Sequence, residues 1–310
     1  MTSTRSVVVG AGGLRIAQRH APNDVAVGDL RVGPLAPVAL PEGPALEAQS
    51  SDGTVWRRHW EDGLRLIIHF VDVVNVEVDG AGLVTFDRAI PPEVEEHLLL
   101  DHVLPLVLAQ RGALVVHGGV ISWRGTGAVL LGSSGHGKST LTAFAWQRGW
   151  MVGGDDGAVL ASGRPPTAEP TYPTVRLTTD SAALLGIDVD TGSPVAGKIR
   201  LADDRVRPLC AAPVPVGVSA IVTPGDAGDT ARFDPVAGAE AHAELFGSTF
   251  HADLRTRRLL PQIVDDLGQI IDSTLVGRLV VPWGWAGLHE AETVLRATLE
   301  RVTVRSAAGP

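Results

Sequence analysis

Residues 132–139 read Gly-Ser-Ser-Gly-His-Gly-Lys-Ser and match in full the phosphate-binding pattern G-x-x-x-x-G-K-[ST]. Glycines in this pattern let the backbone curl so that successive N–H groups point at phosphate oxygens, and the N-terminus of the following helix adds positive charge. Lys138 is placed to contact the β and γ phosphates, and the Ser139 hydroxyl is placed to bind Mg²⁺. The segment therefore predicts binding of a nucleoside triphosphate. The residues predicted to surround the nucleotide are Gly132, Ser133, Ser134, Gly135, His136, Gly137, Lys138, Ser139 and Thr140.

A pair of adjacent carboxylates, Asp155-Asp156, follows a short apolar segment, 150–154, which predicts a strand with a glycine-loosened end. An acidic residue at the end of a strand beside the phosphate-binding strand is a common Mg²⁺ ligand in nucleotide-binding α/β folds. A second carboxylate next to it is available to accept a proton from an attacking hydroxyl. We therefore predict that one carboxylate faces a metal and the other acts as a base. The plainer alternative is a solvated Asp-Asp-Gly turn.

Two further residues stand out by position or by rarity. His117 closes a predicted strand, 113–116, and the two glycines after it permit close backbone approach, so we expect it beside the carboxylate pair. A structural histidine is the alternative. The chain has 26 basic residues, of which only Lys138 and Lys198 are lysine. Because a compact ammonium suits phosphate, Lys198 is a candidate second phosphate contact, against the alternative of a chance lysine in a solvated loop.

The first part of the chain predicts a β-rich domain with a connecting helix, residues 1–110. Its strands are rich in β-branched and aromatic residues and are separated by Asp and Gly turn signals. Pro91-Pro92 opens a helix that runs to Gln110, and Pro105 should kink it. The predicted strands of this part are 54–60, 64–70, 73–78 and 83–86.

The second part, residues 111–310, mixes predicted strands and helices, as expected of an α/β domain. Between them, residues 161–215 carry many Pro and Gly and predict long loops. The predicted strands of this part are 113–116, 128–131, 150–152 and 216–222. The predicted helices are 140–148, 239–246, 260–275 and 288–299.

The motifs of the second part resemble the HPr kinase/phosphorylase family and the broader group of HPr-kinase-like kinases, which includes serine kinases of lasso-peptide precursors. The resemblance is carried by Val116-His117-Gly118, residues 132–140, Arg148-Gly149-Trp150 and Asp155-Asp156. As in that family, the His-Gly pair begins 21 residues before Lys138 and the second aspartate follows 18 residues after it. Weaker likeness extends through Tyr172–Leu177, Lys198–Arg200 and Val280–Pro282.

The resemblance implies an α/β fold of the HPr-kinase (PEP-carboxykinase-like) P-loop type with a smaller N-terminal β domain. It also implies roles for four residues: Asp156 as the proton acceptor, Asp155 as a metal-assisting carboxylate, His117 as an active-site partner and Ser139 as the Mg²⁺ ligand. The family's Glu-Ile-Arg-Gly-Leu-Gly signature and its later catalytic arginine have no counterpart here. An HPr-kinase-like paralogue is therefore expected, rather than an enzyme acting on HPr.

The leading functional hypothesis is transfer of the γ-phosphoryl group of ATP, with Mg²⁺, to a hydroxyl, in particular a serine of a peptide or protein. Two alternatives stay open: a small-molecule kinase, and a nucleotide-dependent switch without transfer. The net charge of −9 argues against a nucleic-acid partner. No apolar stretch is long enough to span a membrane. The single cysteine, Cys210, fits a reducing cytoplasm, and self-association is expected from the family.

Two other patterns predict no ligand site. Val7–Gly13 is similar to a dinucleotide-binding turn, but Arg15 stands where the third glycine is required. Trp283-Gly284-Trp285 predicts packing or a loop edge rather than a ligand cage.

Overall fold

The computed structural model describes residues 5–7, 30–50, 52–171, 174–187, 197–201, 213–226, 228–254 and 257–307. The chain divides into two compact units, which we describe separately. One contains Met1–Ala113 and Asp253–Leu260, and the other contains Leu114–Ala252 and Pro261–Pro310. Helices and sheets occur together, so the fold is mixed α/β.

The first unit is built on a seven-stranded sheet of order β1-β2-β7-β6-β5-β4-β3. Neighbouring strands are antiparallel except β2 and β7, which are parallel. Its strands are β1 (Arg5–Val7), β2 (Leu30–Val32), β3 (Leu46–Gln49), β4 (Val55–Asp62), β5 (Arg65–Phe70), β6 (Val74–Val78) and β7 (Leu83–Phe86). Alternate residues of β6 are buried, as period-two patterning requires of a sheet with one covered face. The four strands predicted for this part are confirmed within two residues at each end.

A helical segment follows the sheet and changes its pitch halfway. It comprises α1 (Pro92–His97), a π-helix (Leu98–Val103) and α2 (Leu104–Gln110). The widened turn is marked by the Leu104 N–H, which donates to the Leu99 carbonyl five residues earlier. Pro105 lacks an N–H, and its ring would clash with a carbonyl four residues before it. The distortion predicted at Pro105 is therefore present as a π turn just before it.

The second unit contains a nine-stranded sheet of order β11-β9-β10-β16-β13-β12-β8, to which β18 and β17 attach beside β16. The nine strands of this sheet are β8 (Leu114–Val116), β9 (Gly119–Trp123), β10 (Thr126–Leu131), β11 (Met151–Gly154), β12 (Ala158–Ala161), β13 (Thr167–Pro170), β16 (Val214–Pro224), β17 (Arg232–Pro235) and β18 (Leu275–Val281). A separate two-stranded ribbon is formed by β14 (Arg176–Leu177) and β15 (Ile199–Arg200). The helices are α3 (Lys138–Gln147), α4 (Thr179–Leu184), α5 (Gly238–Gly247), α6 (Leu260–Ser273) and α7 (Gly284–Ala307), with a 3₁₀ turn at Phe250–Asp253. A second 3₁₀ turn, Arg257–Leu259, belongs to the first unit.

Three central strands, β10, β16 and β18, run parallel, so their carboxyl ends meet at one edge of the sheet. Residues of β10 such as Val129 and Leu130 are fully buried, as expected of parallel strands covered on both faces. Helices α3 and α7 pack on this sheet through Leu141, Phe144 and Leu288. The loop that carries the predicted phosphate-binding motif follows β10 and so leaves the sheet at this edge.

Three predictions about this unit are wrong. Residues 119–123 form β9 between β10 and β11, so the strand that carries the carboxylates is not adjacent to the phosphate-binding strand. Residues 161–215, predicted as loops, contain β13, β14, α4 and β15, whose strands of two to four residues are too short to show a period. The helix predicted for 260–275 ends at Ser273, and Leu275 begins β18 because the β-branched run that follows favours a strand.

Several features of the sequence lie outside the described residues. They are Val8–Gly13, Tyr172-Pro173 and Cys210. Among the helices in the described ranges, none combines the length and the apolar character needed to cross a bilayer.

Candidate active site

The loop that carries the predicted phosphate-binding motif, residues 132–137, joins β10 to α3 in the strand-loop-helix order that the motif requires. Gly132 has φ +125°, and a Cβ there would lie 2.7 Å from the Val222 carbonyl oxygen of β16. Only glycine therefore fits between the two strands at this point. Gly137, with φ +89°, is the residue from which α3 starts. These backbone conformations aim the loop over the carboxyl edge of the sheet.

The side chain of Lys138 is folded back over the loop that precedes it. Its Nζ donates hydrogen bonds to the carbonyl oxygens of Gly132 at 2.7 Å and Ser133 at 3.1 Å. The side chain is buried, and burial lowers the pKa of Lys138 to about 8, against the opposing pull of the nearby carboxylates Asp156 and Asp155. The ammonium is therefore held in the loop at neutral pH but is easier to deprotonate than a surface lysine.

The other residues predicted to surround the nucleotide lie in the loop or at the start of α3. Ser133, Ser134 and Gly135 are exposed at the tip of the loop. The His136 ring lies 3.3 Å from the Val222 carbonyl oxygen. The Thr140 hydroxyl is 2.9 Å from the Ser181 hydroxyl of α4, so it ties the start of α3 to the neighbouring helix.

Asp155 is buried, with 1% of its surface exposed, directly beside the start of α3. Its Oδ2 accepts the Arg176 backbone N–H at 3.1 Å, and it also accepts the Ser139 hydroxyl. Burial, reinforced by the charge of Asp156, raises the pKa of Asp155 well above its ordinary value. Its Oδ1 is buried and has no hydrogen-bond donor. A buried carboxyl oxygen with no partner lowers the stability of the fold, and such an atom calls for an explanation such as a ligand or ion that binds to it.

Asp156 is buried between two cations rather than exposed in a turn. Its Oδ2 lies 3.7 Å from Arg176 Nη1 and its Oδ1 lies 4.0 Å from Lys198 Nζ. No donor is within hydrogen-bonding distance of Oδ2, although that atom is fully buried. The carboxylate is therefore held by charge while one of its oxygens has no hydrogen bond.

The two cations come from a small antiparallel ribbon formed by β14 and β15. Leu177 pairs with Ile199 across this ribbon, and Arg176 and Lys198 are the residues that precede the two members of this pair along the chain. Sequence reasoning proposed Lys198 as a phosphate contact but missed Arg176 as a site residue. An arginine flanked by Val175 and Leu177, which are both buried, is the signal that could have found it.

The backbone of His117 runs alongside the carboxylate segment. The register pairs Val116 of β8 with Ala158 of β12, so His117 follows beside Gly157. A Cβ on Gly119 would lie 3.0 Å from Thr142 Oγ1 and 3.2 Å from the Gly154 carbonyl oxygen, so glycine lets β9 lie close to the segment that leads into Asp155. The half-buried His117 ring packs edge-on against Phe250 with centroids 6.0 Å apart, and the backbone N–H of His117 donates to the Ser248 carbonyl at 2.7 Å.

The donor set suits Mg²⁺ bound together with a phosphate chain. The described residues contain no group of three or more His, Cys, Asp or Glu side chains that could enclose a metal. Mg²⁺ in nucleotide sites needs only one or two protein oxygens, since phosphates and water supply the others. The hydrogen-bonded Ser139 hydroxyl and the unpartnered Oδ1 of Asp155 are such oxygens.

Comparison with known proteins gives a remote structural likeness. No protein-family description and no curated protein matches the chain. Among solved structures, the chain is similar to the Hpr(Ser) kinase/phosphatase from Coxiella burnetii, with a TM-score of 0.32 and 14% identity over 63% of this chain and 95% of that one. The function proposed below depends on the geometry of the site alone.

Proposed function

We propose that the chain is a Mg²⁺-dependent kinase that transfers the γ-phosphoryl group of ATP to a hydroxyl, and that the acceptor is a serine of a peptide or protein. The observation that supports this most directly is the buried carboxylate of Asp156, whose Oδ2 has no hydrogen bond and which acts electrostatically on the phosphate-loop lysine, Lys138. A pure nucleotide-binding module needs the loop but has no use for a buried base.

Binding of the phosphates falls to the loop and the start of α3. Backbone N–H groups of the loop and the Lys138 ammonium bind the β and γ oxygens, and Lys138 exchanges its bonds to the Gly132 and Ser133 carbonyls for bonds to phosphate. Ser139 and Asp155 would hold Mg²⁺, which would neutralise negative charge on the phosphate chain. The pKa of Asp155 is raised by burial, so Mg²⁺ would compete with a proton for this carboxyl group.

Proton transfer falls to Asp156. The acceptor hydroxyl oxygen forms a bond to the γ phosphorus, the bond between that phosphorus and the β-γ bridging oxygen breaks, and the hydroxyl proton passes to Asp156. The products are the phosphate ester and ADP. Arg176 and Lys198 lie beside the Asp156 carboxylate and orient it before the transfer.

A transfer assay with ATP labelled in the γ-phosphate tests this proposal. Purified wild type and Asp156→Asn are incubated with Mg·ATP and, in parallel, a serine-peptide library and a panel of small-molecule alcohols. We expect wild type to label serine peptides and Asp156→Asn to bind ATP but lose 10²-fold or more in rate, about the usual contribution of a general base. Labelling of small molecules alone would point to the small-molecule kinase. Tight ATP binding with no transfer by wild type to any acceptor would contradict kinase activity.

A further inference from the structure

The direction of a nucleotide bound in the loop follows from the order of the strands. Strands β9 and β10 are antiparallel, as are β9 and β11, so β11 runs parallel to β10 and ends at the same edge of the sheet. Asp155 and Asp156 follow β11, two strands to one side of β10. Given the proposed function, the γ-phosphate points toward Asp156. The nucleoside therefore extends to the other side, above β16 and β18.

An exposed indole stands on that side of the edge. Trp283 follows the carboxyl end of β18, which lies two strands from β10 on the side away from β11. Its side chain is 87% exposed, the largest exposure of any large hydrophobic residue in the described part of the chain. Two strand spacings amount to about 10 Å, a span comparable with the distance from the phosphates of a nucleotide to its base.

The segment that carries Trp283 is fixed from several directions. The Gly225 N–H donates to the Val281 carbonyl at 2.8 Å. A Cβ on Gly287 would lie 2.0 Å from the Pro282 carbonyl oxygen, so the first turn of α7 packs directly on this peptide. Gly284, with φ +90°, supplies the turn into the helix. The indole is therefore mounted on a defined backbone, which reduces the entropy lost when a ring stacks on it.

The neighbouring tryptophan, Trp285, contacts another aromatic ring and so connects this segment to the helix that follows the loop. The Trp285 ring packs edge-on against Phe144 of α3, with centroids 5.0 Å apart, as its predicted packing role requires. Because α3 begins at Lys138, the Trp285 contact joins the Trp283 segment to the helix that starts at the phosphate site. Trp283 itself is left facing solvent at the edge.

We propose that Trp283 is the stacking platform for the base of the nucleoside triphosphate. This inference rests on the proposed function. Stacking on an indole favours any planar base and does not read its edge, so Trp283 supplies affinity without choosing between adenine and guanine.

The test compares three ligands that share a triphosphate group: two carry different bases and the third carries none. Isothermal titration calorimetry measures Mg·ATP, Mg·GTP and Mg·tripolyphosphate binding to wild type, Trp283→Ala and Trp283→Phe. From the usual contribution of base stacking, Trp283→Ala should weaken both nucleotides by between about fivefold and a hundredfold, and leave tripolyphosphate unchanged. Trp283→Phe should recover most of the loss. Leu35→Ala, which shortens another exposed apolar side chain, is the matched control and should change nothing.

The remaining outcomes distinguish failure of the stacking role alone from failure of the proposed function, which would remove the stacking role as well. If wild type binds neither nucleotide nor tripolyphosphate, the proposed function fails. If Trp283→Ala binds ATP as tightly as wild type does, the stacking role fails and the kinase proposal stands. The same conclusion holds if this variant binds ATP normally but shows a higher KM for the acceptor in the transfer assay. If tripolyphosphate weakens as much as ATP, Trp283 supports the loop rather than the base, and the stacking role again fails.

Discussion

Two ion pairs of different kinds, one from each unit of this chain, show what burial does to a carboxylate. In the first unit, pairs such as Arg65–Glu77 at 2.7 Å and Arg58–Glu47 at 2.8 Å join neighbouring strands on the solvent side of an antiparallel sheet. In the second, Arg176–Asp156 is longer, at 3.7 Å, and buried. Surface pairs of good geometry contribute little to stability, whereas a buried carboxylate in a looser pair is available for chemistry.

The difference has a topological origin. Antiparallel strands place their ends alternately at the two edges, so polar side chains pair locally across the ladder. Parallel strands bring all their carboxyl ends to one edge, where the segments that follow them meet. In the second unit, the loop after β10 and the carboxylates after β11 meet at such an edge.

The largest expected effect comes from removing the cation of the buried pair. Arg176→Met removes the nearer of the two cations that flank the buried Asp156 carboxylate, and loss of one partner from a buried pair costs about 3–5 kcal/mol. We expect the free energy of unfolding, measured by urea denaturation, to fall by an amount in that range and the transfer rate to fall with it. Arg164→Met, at an exposed position in the same unit, is the control. A loss no larger than that of the control would mean that the pair is not a buried one in solution.

The next effect concerns the loop lysine. Lys138→Met removes a buried ammonium from the phosphate-binding loop, and charge-assisted hydrogen bonds are worth about 1.5–3 kcal/mol. Affinity for Mg·ATP, measured by calorimetry, should fall by about tenfold to a hundredfold. Lys198→Met, which removes the other lysine, should have a smaller effect on affinity because Lys198 faces Asp156. Equal losses in the two variants would contradict the assignment of Lys138 as the main phosphate contact.

The same lysine predicts a pH dependence of binding. The pKa of Lys138 is lowered to about 8, so above pH 8 the unliganded protein carries a neutral amine there. Bound phosphates raise that pKa, so binding takes up a proton and affinity should fall as pH rises from 8 to 10. Calorimetry in buffers of different ionisation enthalpy measures the proton uptake. Lys138→Met should abolish it, and persistence of the uptake in that variant would assign the proton to another group.

A smaller effect, on the melting temperature, is expected from replacing one member of the carboxylate pair. The pKa of Asp155 is raised in the folded state. The contribution of Asp155 to the free energy of unfolding is therefore fully present below its unfolded-state pKa of 3.8, and it is lost as the pH rises through the folded-state pKa. Asp155→Asn should therefore raise the melting temperature by about 2 °C or more at pH 8, with a smaller gain near pH 4. Asp265→Asn, on the exposed side of α6, should show no such dependence. A lower melting temperature for Asp155→Asn at pH 8 would contradict the burial argument.

The smallest effect belongs to the surface pair. A double-mutant cycle on Arg65 and Glu77, using alanine at each position, should give a coupling free energy of about 1 kcal/mol or less. Urea denaturation of the four proteins measures it, and nucleotide binding should be the same in all of them. A coupling as large as the loss from Arg176→Met would remove the contrast between the two units.

Much of the local structure could be predicted because it depends on neighbours in the chain. Alternating apolar residues predict β4 to β7, and the glycines of the 132–137 segment predict a loop with positive φ angles. Strand β9 was missed because Gly118-Gly119 has the composition of a turn. The structure shows that these glycines instead allow close packing, since a Cβ on Gly118 would lie 2.6 Å from the Leu130 carbonyl oxygen.

The sequence by itself determined the phosphate-binding loop, because its backbone conformation depends on residues next to one another. Only the tertiary structure decided which charges surround Asp156. Arg176 and Lys198 are far from that carboxylate along the chain, and the pairing of β14 with β15 brings them near it. Sheet order likewise placed Trp283 opposite the carboxylates across the loop. Contacts between residues so far apart along the chain depend on the order of the strands. That order is set by the packing of the whole sheet rather than by any short run of residues.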